Sequence, residues 1–84
     1  GISSPTNSTP TSVNAPDTLT FSAIATVANA TILWYNSATG GTPNTITPQY
    51  TVPKTYTHWV SQKDPVSGCE SPRVQIVATV VDVF

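Results

Sequence analysis

Few side chains in this sequence could perform acid–base or nucleophilic chemistry. His58 is the single histidine, and Ser61 follows it three residues later. A hydrolytic triad needs a nucleophile that is hydrogen-bonded to a base, and a carboxylate that orients the base. Residues three apart on a β-strand project to opposite faces, so we expect Ser61 to face away from His58. We therefore predict a packed or rim histidine and a chain that is not an enzyme.

The candidates for metal or redox chemistry are also scattered. Asp64, Glu70 and Asp82 carry oxygen ligands, but no alternating Asp/Asn run with a Gly turn accompanies them, as a calcium loop requires. Cys69 is the single cysteine, so the chain offers it no partner for a disulfide, a redox pair or a zinc site. The sequence predicts no metal, no cofactor and no intrachain disulfide.

Length and charge restrict the class of protein further. The chain has 84 residues, of which only 8% are charged, and a net charge of −1. Soluble domains carry about 25% charged residues, so hydroxyl side chains must supply much of the polar surface here. Without a basic excess we expect no nucleic-acid partner. Without a run of about 18 apolar residues we expect no membrane insertion. The length corresponds to one small domain.

Alternation of apolar and polar residues predicts the strands that must position these side chains. Leu19, Phe21 and Ala23 alternate with hydroxyl residues, whereas the segment 31–35 is apolar on both faces and should be a central strand. The other predicted strands are 49–52, 56–62 and 74–83. Eight prolines interrupt any helical pattern. The sequence predicts an all-β sandwich of two antiparallel sheets with about seven strands.

The N-terminal segment differs from the rest in composition. Residues 1–12 are rich in Ser, Thr and Pro and contain one apolar side chain, Ile2. Such a composition is typical of linkers, and an edge strand is the alternative. We expect the domain itself to span residues 13–84. A linker followed by a domain suggests one unit of a multidomain chain, whose neighbouring domains are the expected partners.

Leu33, Tyr35 and Trp59 form the candidate ligand-binding site. Period-two alternation puts all three on the sheet face opposite Trp34, which we predict to be the central core residue. Aromatic rings on such a face can stack on sugars, and exposed apolar patches mark interaction sites. The alternative is that loops or a neighbouring domain cover these side chains.

Three segments, in this order and spacing, resemble a known family. They are 33–42 (LWYNSATGGT), 57–62 (THWVSQ) and 68–73 (GCESPR). Together they are similar to the immunoglobulin-like domains repeated in secreted and cell-surface proteins of Bacteroidetes that use the type nine secretion route. The resemblance covers about residues 10–81. It implies an immunoglobulin-like sandwich with an extracellular or cell-surface location.

The same resemblance implies a role but no ligand. We expect a non-catalytic spacer, presentation or adhesion module of a larger protein. A carbohydrate-binding module that targets an attached enzyme to polysaccharide is the alternative, and a cell-surface glycan would then be the partner. Asp17-Thr18-Leu19 also resembles the Asp-Ser/Thr-apolar acceptor motif of O-glycosylation in Bacteroidetes, although a turn aspartate that leads into a strand explains the same residues.

The chain departs from the family pattern at two places. The family has an early "YC" near position 13, and that cysteine is absent here, so a family disulfide to Cys69 cannot form. The family's "TYYV" reads THWV here, which places His58 and Trp59 at aromatic positions. If Val60 points inward, His58 must do so as well.

Overall fold

The computed structural model describes residues 1–83, and in that range the regular structure is entirely β. The strands are β1 (Thr6–Asn7), β2 (Ser12–Asn14), β3 (Leu19–Thr20), β4 (Ala23–Ile24), β5 (Thr31–Tyr35), β6 (Gln49–Tyr50), β7 (Lys54–Lys63) and β8 (Val74–Val81). Residues 1–83 contain no helix that is long and apolar enough to cross a membrane. The predicted all-β fold class is confirmed.

The larger sheet has four strands in the order β2-β8-β7-β5. Its β5–β7 and β7–β8 pairs are antiparallel, as the alternation predicted, but β2 runs parallel to β8. The described residues form eight strands, against about seven predicted, and two of the eight, β1 and β2, are short pairings in or next to the N-terminal segment.

The smaller layer consists of two short ladders, β1-β4 and β3-β6. The predicted strand over residues 19–23 is divided into β3 and β4 at Phe21 and Ser22. Phe21 N–H donates to the carbonyl of Pro48, whereas Ser22 N–H donates to Oγ1 of Thr9. The chain therefore changes its hydrogen-bonding partner at this point and remains in the same layer.

The core lies between these two layers. Trp34 is 2% exposed, and Phe21 meets its ring edge to face at a centroid distance of 6.0 Å. The prediction that Trp34 is a core residue is confirmed. The buried apolar cluster contains Leu19, Phe21, Trp34, Val60, Ile76, Ala78 and Val80. All members from the larger sheet lie on one face, as period-two alternation requires.

The N-terminal segment makes hydrogen bonds to the rest of the chain in the structure. Pro5 is buried, and the carbonyl of Ser3 accepts a 2.6 Å hydrogen bond from Nε2 of Gln62, a fully buried side chain of β7. Gln62 also bonds to Thr26 through both ends of its amide. Residues 6–7 form β1, and the contacts of this segment with β7 are made by polar groups that must be paired once they are buried.

A reversal after β5 brings the chain back beside it. Gly40 and Gly41 both have positive φ, a conformation that glycine adopts without steric penalty. Asn44 then exchanges both backbone hydrogen bonds with Trp34, at 2.8 and 2.9 Å. This reversal places Asn44 at the outer edge of β5, and the segment 42–48 then leads to the smaller layer, where Pro48 accepts from Phe21 N–H.

Candidate functional site

Leu33, Tyr35 and Trp59 share the outer face of the larger sheet. In the β5–β7 register Tyr35 lies opposite Trp59, and Leu33 lies opposite Ser61. Their exposure differs: Leu33 is 8% and Tyr35 4% exposed, whereas Trp59 is half-buried. The sequence placed all three on one face, but only Trp59 offers a substantial part of its side chain to solvent.

The Tyr35 ring is covered by the segment that follows the β7–β8 turn. Arg73 stacks its guanidinium on the ring, with Cζ 3.3 Å from the centroid, and donates from Nη1 to the carbonyl of Ser37 at 2.9 Å. The Tyr35 hydroxyl donates to Oε2 of Glu70 at 2.5 Å. A loop of the chain itself therefore occupies the ring face that a sugar would need.

Glu70 is the centre of this outer cluster of Tyr35, Ser61, Glu70 and Arg73. The same Oε2 accepts a 2.7 Å hydrogen bond from Ser61 Oγ. These hydroxyl donors, with the Arg73 charge, lower the pKa of Glu70, whereas burial and the Glu70 carboxylate raise the pKa of Tyr35. Ser61 is thus bonded to a carboxylate on the face opposite His58, and the three do not form a triad.

His58 lies on the inner face, as predicted from Val60. It is 7% exposed and meets Phe21 edge to face at 4.8 Å. Its Nδ1 is 3.4 Å from the Tyr35 carbonyl, and its Nε2 is 2.6 Å from the Tyr50 hydroxyl. Since a carbonyl only accepts, Nδ1 carries the proton and Nε2 accepts from Tyr50. Burial lowers the pKa of His58, so the ring is held neutral.

A cleft of about 490 Å³ opens between the segment 42–48 and the edge of β5. We call it the Tyr50 cleft. Its lining consists of Trp34, Asn36, Thr42, Pro43, Asn44, Ile46, Thr47, Pro48, Gln49, Tyr50 and His58. Within residues 1–83, no Asp, Glu, Lys or Arg lines it. The cleft is a neutral, polar depression whose inner wall is aromatic.

The remaining candidates lie in loops. Cys69 is exposed and free, and it lies at the end of a turn. In this turn the Asp64 carboxylate accepts hydrogen bonds from the backbone N–H of Val66 and from the hydroxyl of Ser67. No group of three or more His, Cys, Asp or Glu side chains in residues 1–83 is arranged to hold a metal ion. Thr18 of the Asp17-Thr18-Leu19 motif is exposed, just before β3.

Residues 3–81 match the family model described as Ig-like domain CHU_C associated. The chain belongs to this Ig-like family. The resemblance seen in the three sequence segments is confirmed, and the match extends to Ser3, so it includes the N-terminal strands of the Ig-like domain. No curated protein and no solved structure matches the chain significantly.

Two parts of the Ig-like domain were not found by sequence reasoning. The outer cluster joins Tyr35 to Glu70 and Arg73 across 35 or more residues of sequence, and the compact GCESPR run was its only signal. The Tyr50 cleft is formed by a Thr/Pro/Asn-rich loop that reads as an ordinary turn. Nothing in the spacing of the segment 42–48 shows that it borders His58.

Proposed function

We propose that this Ig-like domain is a non-catalytic spacing and adhesion module of a larger secreted or surface-anchored bacterial protein. Its family, Ig-like and CHU_C associated, supports the modular, extracellular part of this proposal. The observation that carries the spacing role is the placement of Ser3 and Val80, which lie near the two ends of the family match.

Ser3 and Val80 lie near opposite ends of β7. Ser3 is hydrogen-bonded to Gln62, next to the last residue of β7, whereas Val80 is paired with Lys54, its first residue. The eight positions between Lys54 and Gln62 correspond to about 26 Å at about 3.3 Å per residue. The molecule extends 49 Å along its longest axis. Domains joined through such ends follow one another lengthwise and separate what they connect.

Small-angle X-ray scattering on two copies joined head to tail tests the spacing role. We expect a maximum dimension close to twice the 49 Å of one copy. Two copies that fold back side by side, with a maximum dimension near that of one, would contradict the proposal. A single copy measured under the same conditions is the control.

Carbohydrate binding through Leu33, Tyr35 and Trp59 is the second candidate. Half-buried Trp59 and the 51% exposed Val77 of β8 favour it, because both add apolar surface to the outer face. The Arg73 guanidinium on the Tyr35 ring disfavours it. Trp59→Ala tests this candidate: loss of retention on an insoluble polysaccharide, with the melting temperature within a few degrees of wild type, supports it. Unchanged retention, or no retention by the unmodified domain, contradicts it.

A further inference from the structure

The Tyr50 cleft has the chemical lining of a site for a neutral, hydroxyl-rich ligand. Its volume, about 490 Å³, lies within the range of roughly 300 to 1,000 Å³ that is usual for small-molecule sites. We propose that this cleft, and not the outer face, binds a neutral saccharide. The inference rests on the adhesive part of the proposed function and names its ligand class.

The absence of charged side chains in the described lining indicates which class of ligand the cleft can bind. Among the described residues that line the cleft there is no ionised carboxylate, ammonium or guanidinium, and His58 is held neutral by burial. A phosphate, a uronic acid or a charged peptide would lose its hydration there without gaining a counter-charge. A neutral ligand has no such penalty.

The polar groups of the lining match sugar hydroxyls. Asn36, Asn44 and Gln49 carry side-chain amides, which both donate and accept, as a sugar hydroxyl does. All three residues are exposed. The Oδ1 of Asn44 accepts from the backbone N–H of Ile46 at 3.0 Å. This bond fixes the orientation of the amide and directs its nitrogen to donate elsewhere.

The apolar part of the lining suits the C–H faces of a sugar ring. Ile46 is 73% exposed and Pro43 is also exposed, and both line the cleft, so they present apolar surface at its rim. Trp34 lines the cleft, and its Nε1 is buried without a hydrogen-bond partner in residues 1–83. A buried donor without a partner is unfavourable.

Affinity gel electrophoresis of the intact chain tests the proposal. The probes are soluble starch, hydroxyethyl cellulose and galactomannan as neutral polysaccharides, with alginate as the carboxylated comparison. We expect saturable retardation by at least one neutral polysaccharide and none by alginate. Retardation by alginate alone, or by no polysaccharide, would overturn the proposal.

Asn44→Asp is the decisive variant. It keeps the oxygen that accepts from Ile46, but replaces the donor nitrogen with a charged oxygen at the rim of the cleft. We expect affinity to fall at least about tenfold, the equivalent of one lost hydrogen bond with some added charge desolvation. Asn7→Asp is the matched control, because exposed Asn7 accepts from the Thr9 N–H in the same i to i+2 arrangement and does not line the cleft.

The variants separate the cleft from the other sites and roles. The cleft is supported if Asn44→Asp removes binding while Asn7→Asp and Trp59→Ala leave it intact. Binding that only Trp59→Ala removes overturns the cleft in favour of the outer face. Retardation that is equal in wild type and Asn44→Asp also overturns it. The scattering experiment on two joined copies is independent of all these results, so the spacing role can stand or fall separately.

Discussion

Individual side chains of this domain divide into those that fill the core and those that pair buried polar groups. Trp34 is the largest residue of the core cluster and touches the smaller layer through Phe21. His58 occupies the same face of the sheet but carries two ring nitrogens, and both have partners. Trp34 stabilises the fold through the volume that it fills. The effect of His58 on stability depends on its protonation state, which its surroundings determine.

Replacing Trp34 with Ala should lower the free energy of unfolding by about 3 to 5 kcal/mol, because it removes a buried aromatic side chain and leaves a cavity. Urea unfolding followed by circular dichroism measures the loss. Trp59→Ala is the matched control and should lose clearly less, since Trp59 is half-buried on the outer face. Equal losses in the two variants would remove Trp34 from its central role.

The stability of the domain should rise with pH across the titration of His58. Burial holds the pKa of His58 below its ordinary value of 6.5. The unfolded chain therefore binds a proton that the folded chain rejects, and the free energy of unfolding falls as pH drops through 6.5 towards the lower folded pKa. We expect the melting temperature to fall between about pH 7 and about pH 5, the range in which histidine titrates.

His58→Phe should flatten this pH dependence, because His58 is the single histidine of the chain. Glu70→Gln is the control. The pKa of Glu70 is lowered from 4.5, so its stabilising effect is present above that pH and is lost as pH falls further. The slope above about pH 5 should persist in Glu70→Gln. An unchanged slope in His58→Phe would contradict the account of His58.

The strands contribute unequally to the stability of the domain. The shortest strands are held in place by side-chain hydrogen bonds rather than by backbone ladders. β1 and β4 pair over two residues each, which is too short for a ladder to be stable by itself. They are held by the Gln62 amide and by the Thr9 hydroxyl, which accepts from Ser22 N–H and donates to its carbonyl. Removal of this segment therefore affects the buried end of β7.

Deletion of residues 1–10 should lower the free energy of unfolding by about 2 to 4 kcal/mol. It removes the Ser3 carbonyl from the buried Gln62 amide, which keeps Thr26 as its partner, and it removes the Thr9 hydroxyl from the backbone of Ser22. A buried polar group that loses a partner costs about 1 to 3 kcal/mol. Chemical unfolding of the truncated chain measures the effect. Deletion of residues 1–2 alone, which take part in none of these bonds, should have little effect. Equal stability of the long truncation and the full chain would contradict this prediction and support the linker interpretation.

The whole molecule depends on one thin core between a four-stranded sheet and two short ladders. An 84-residue chain buries only about 60 to 65% of its unfolded surface, so the margin of stability is small. One apolar cluster joins both layers. We therefore expect cooperative, two-state unfolding.

Unfolding should not respond to a reductant or to a chelator. The single cysteine cannot form an intrachain disulfide, and no ligand cluster lies in the described part of the chain. Denaturant midpoints with and without dithiothreitol, and with and without EDTA, should coincide. A lower midpoint in EDTA would reveal a stabilising metal.

Sequence reasoning succeeded where a feature depends on local alternation. The inward side chains of β7 and the outward trio Leu33, Tyr35 and Trp59 lie on the predicted faces, because the side-chain period of a strand is fixed by its backbone. The GCESPR, LWY and THWVSQ segments were also sufficient to indicate the family. The predicted strand ends were less accurate, because the end of a strand depends on where its hydrogen-bonding partner ends.

By itself, then, the sequence determined the all-β class, the Ig-like family, the inward face and the absence of a disulfide partner for Cys69. Only the tertiary structure decided which outward-facing side chains are exposed to solvent. Arg73, which is 38 residues away in sequence, covers the Tyr35 ring. The segment 42–48 borders a cleft whose wall includes His58. Neither contact has a local signal, because each depends on how the two layers and their loops are packed rather than on the period of any strand.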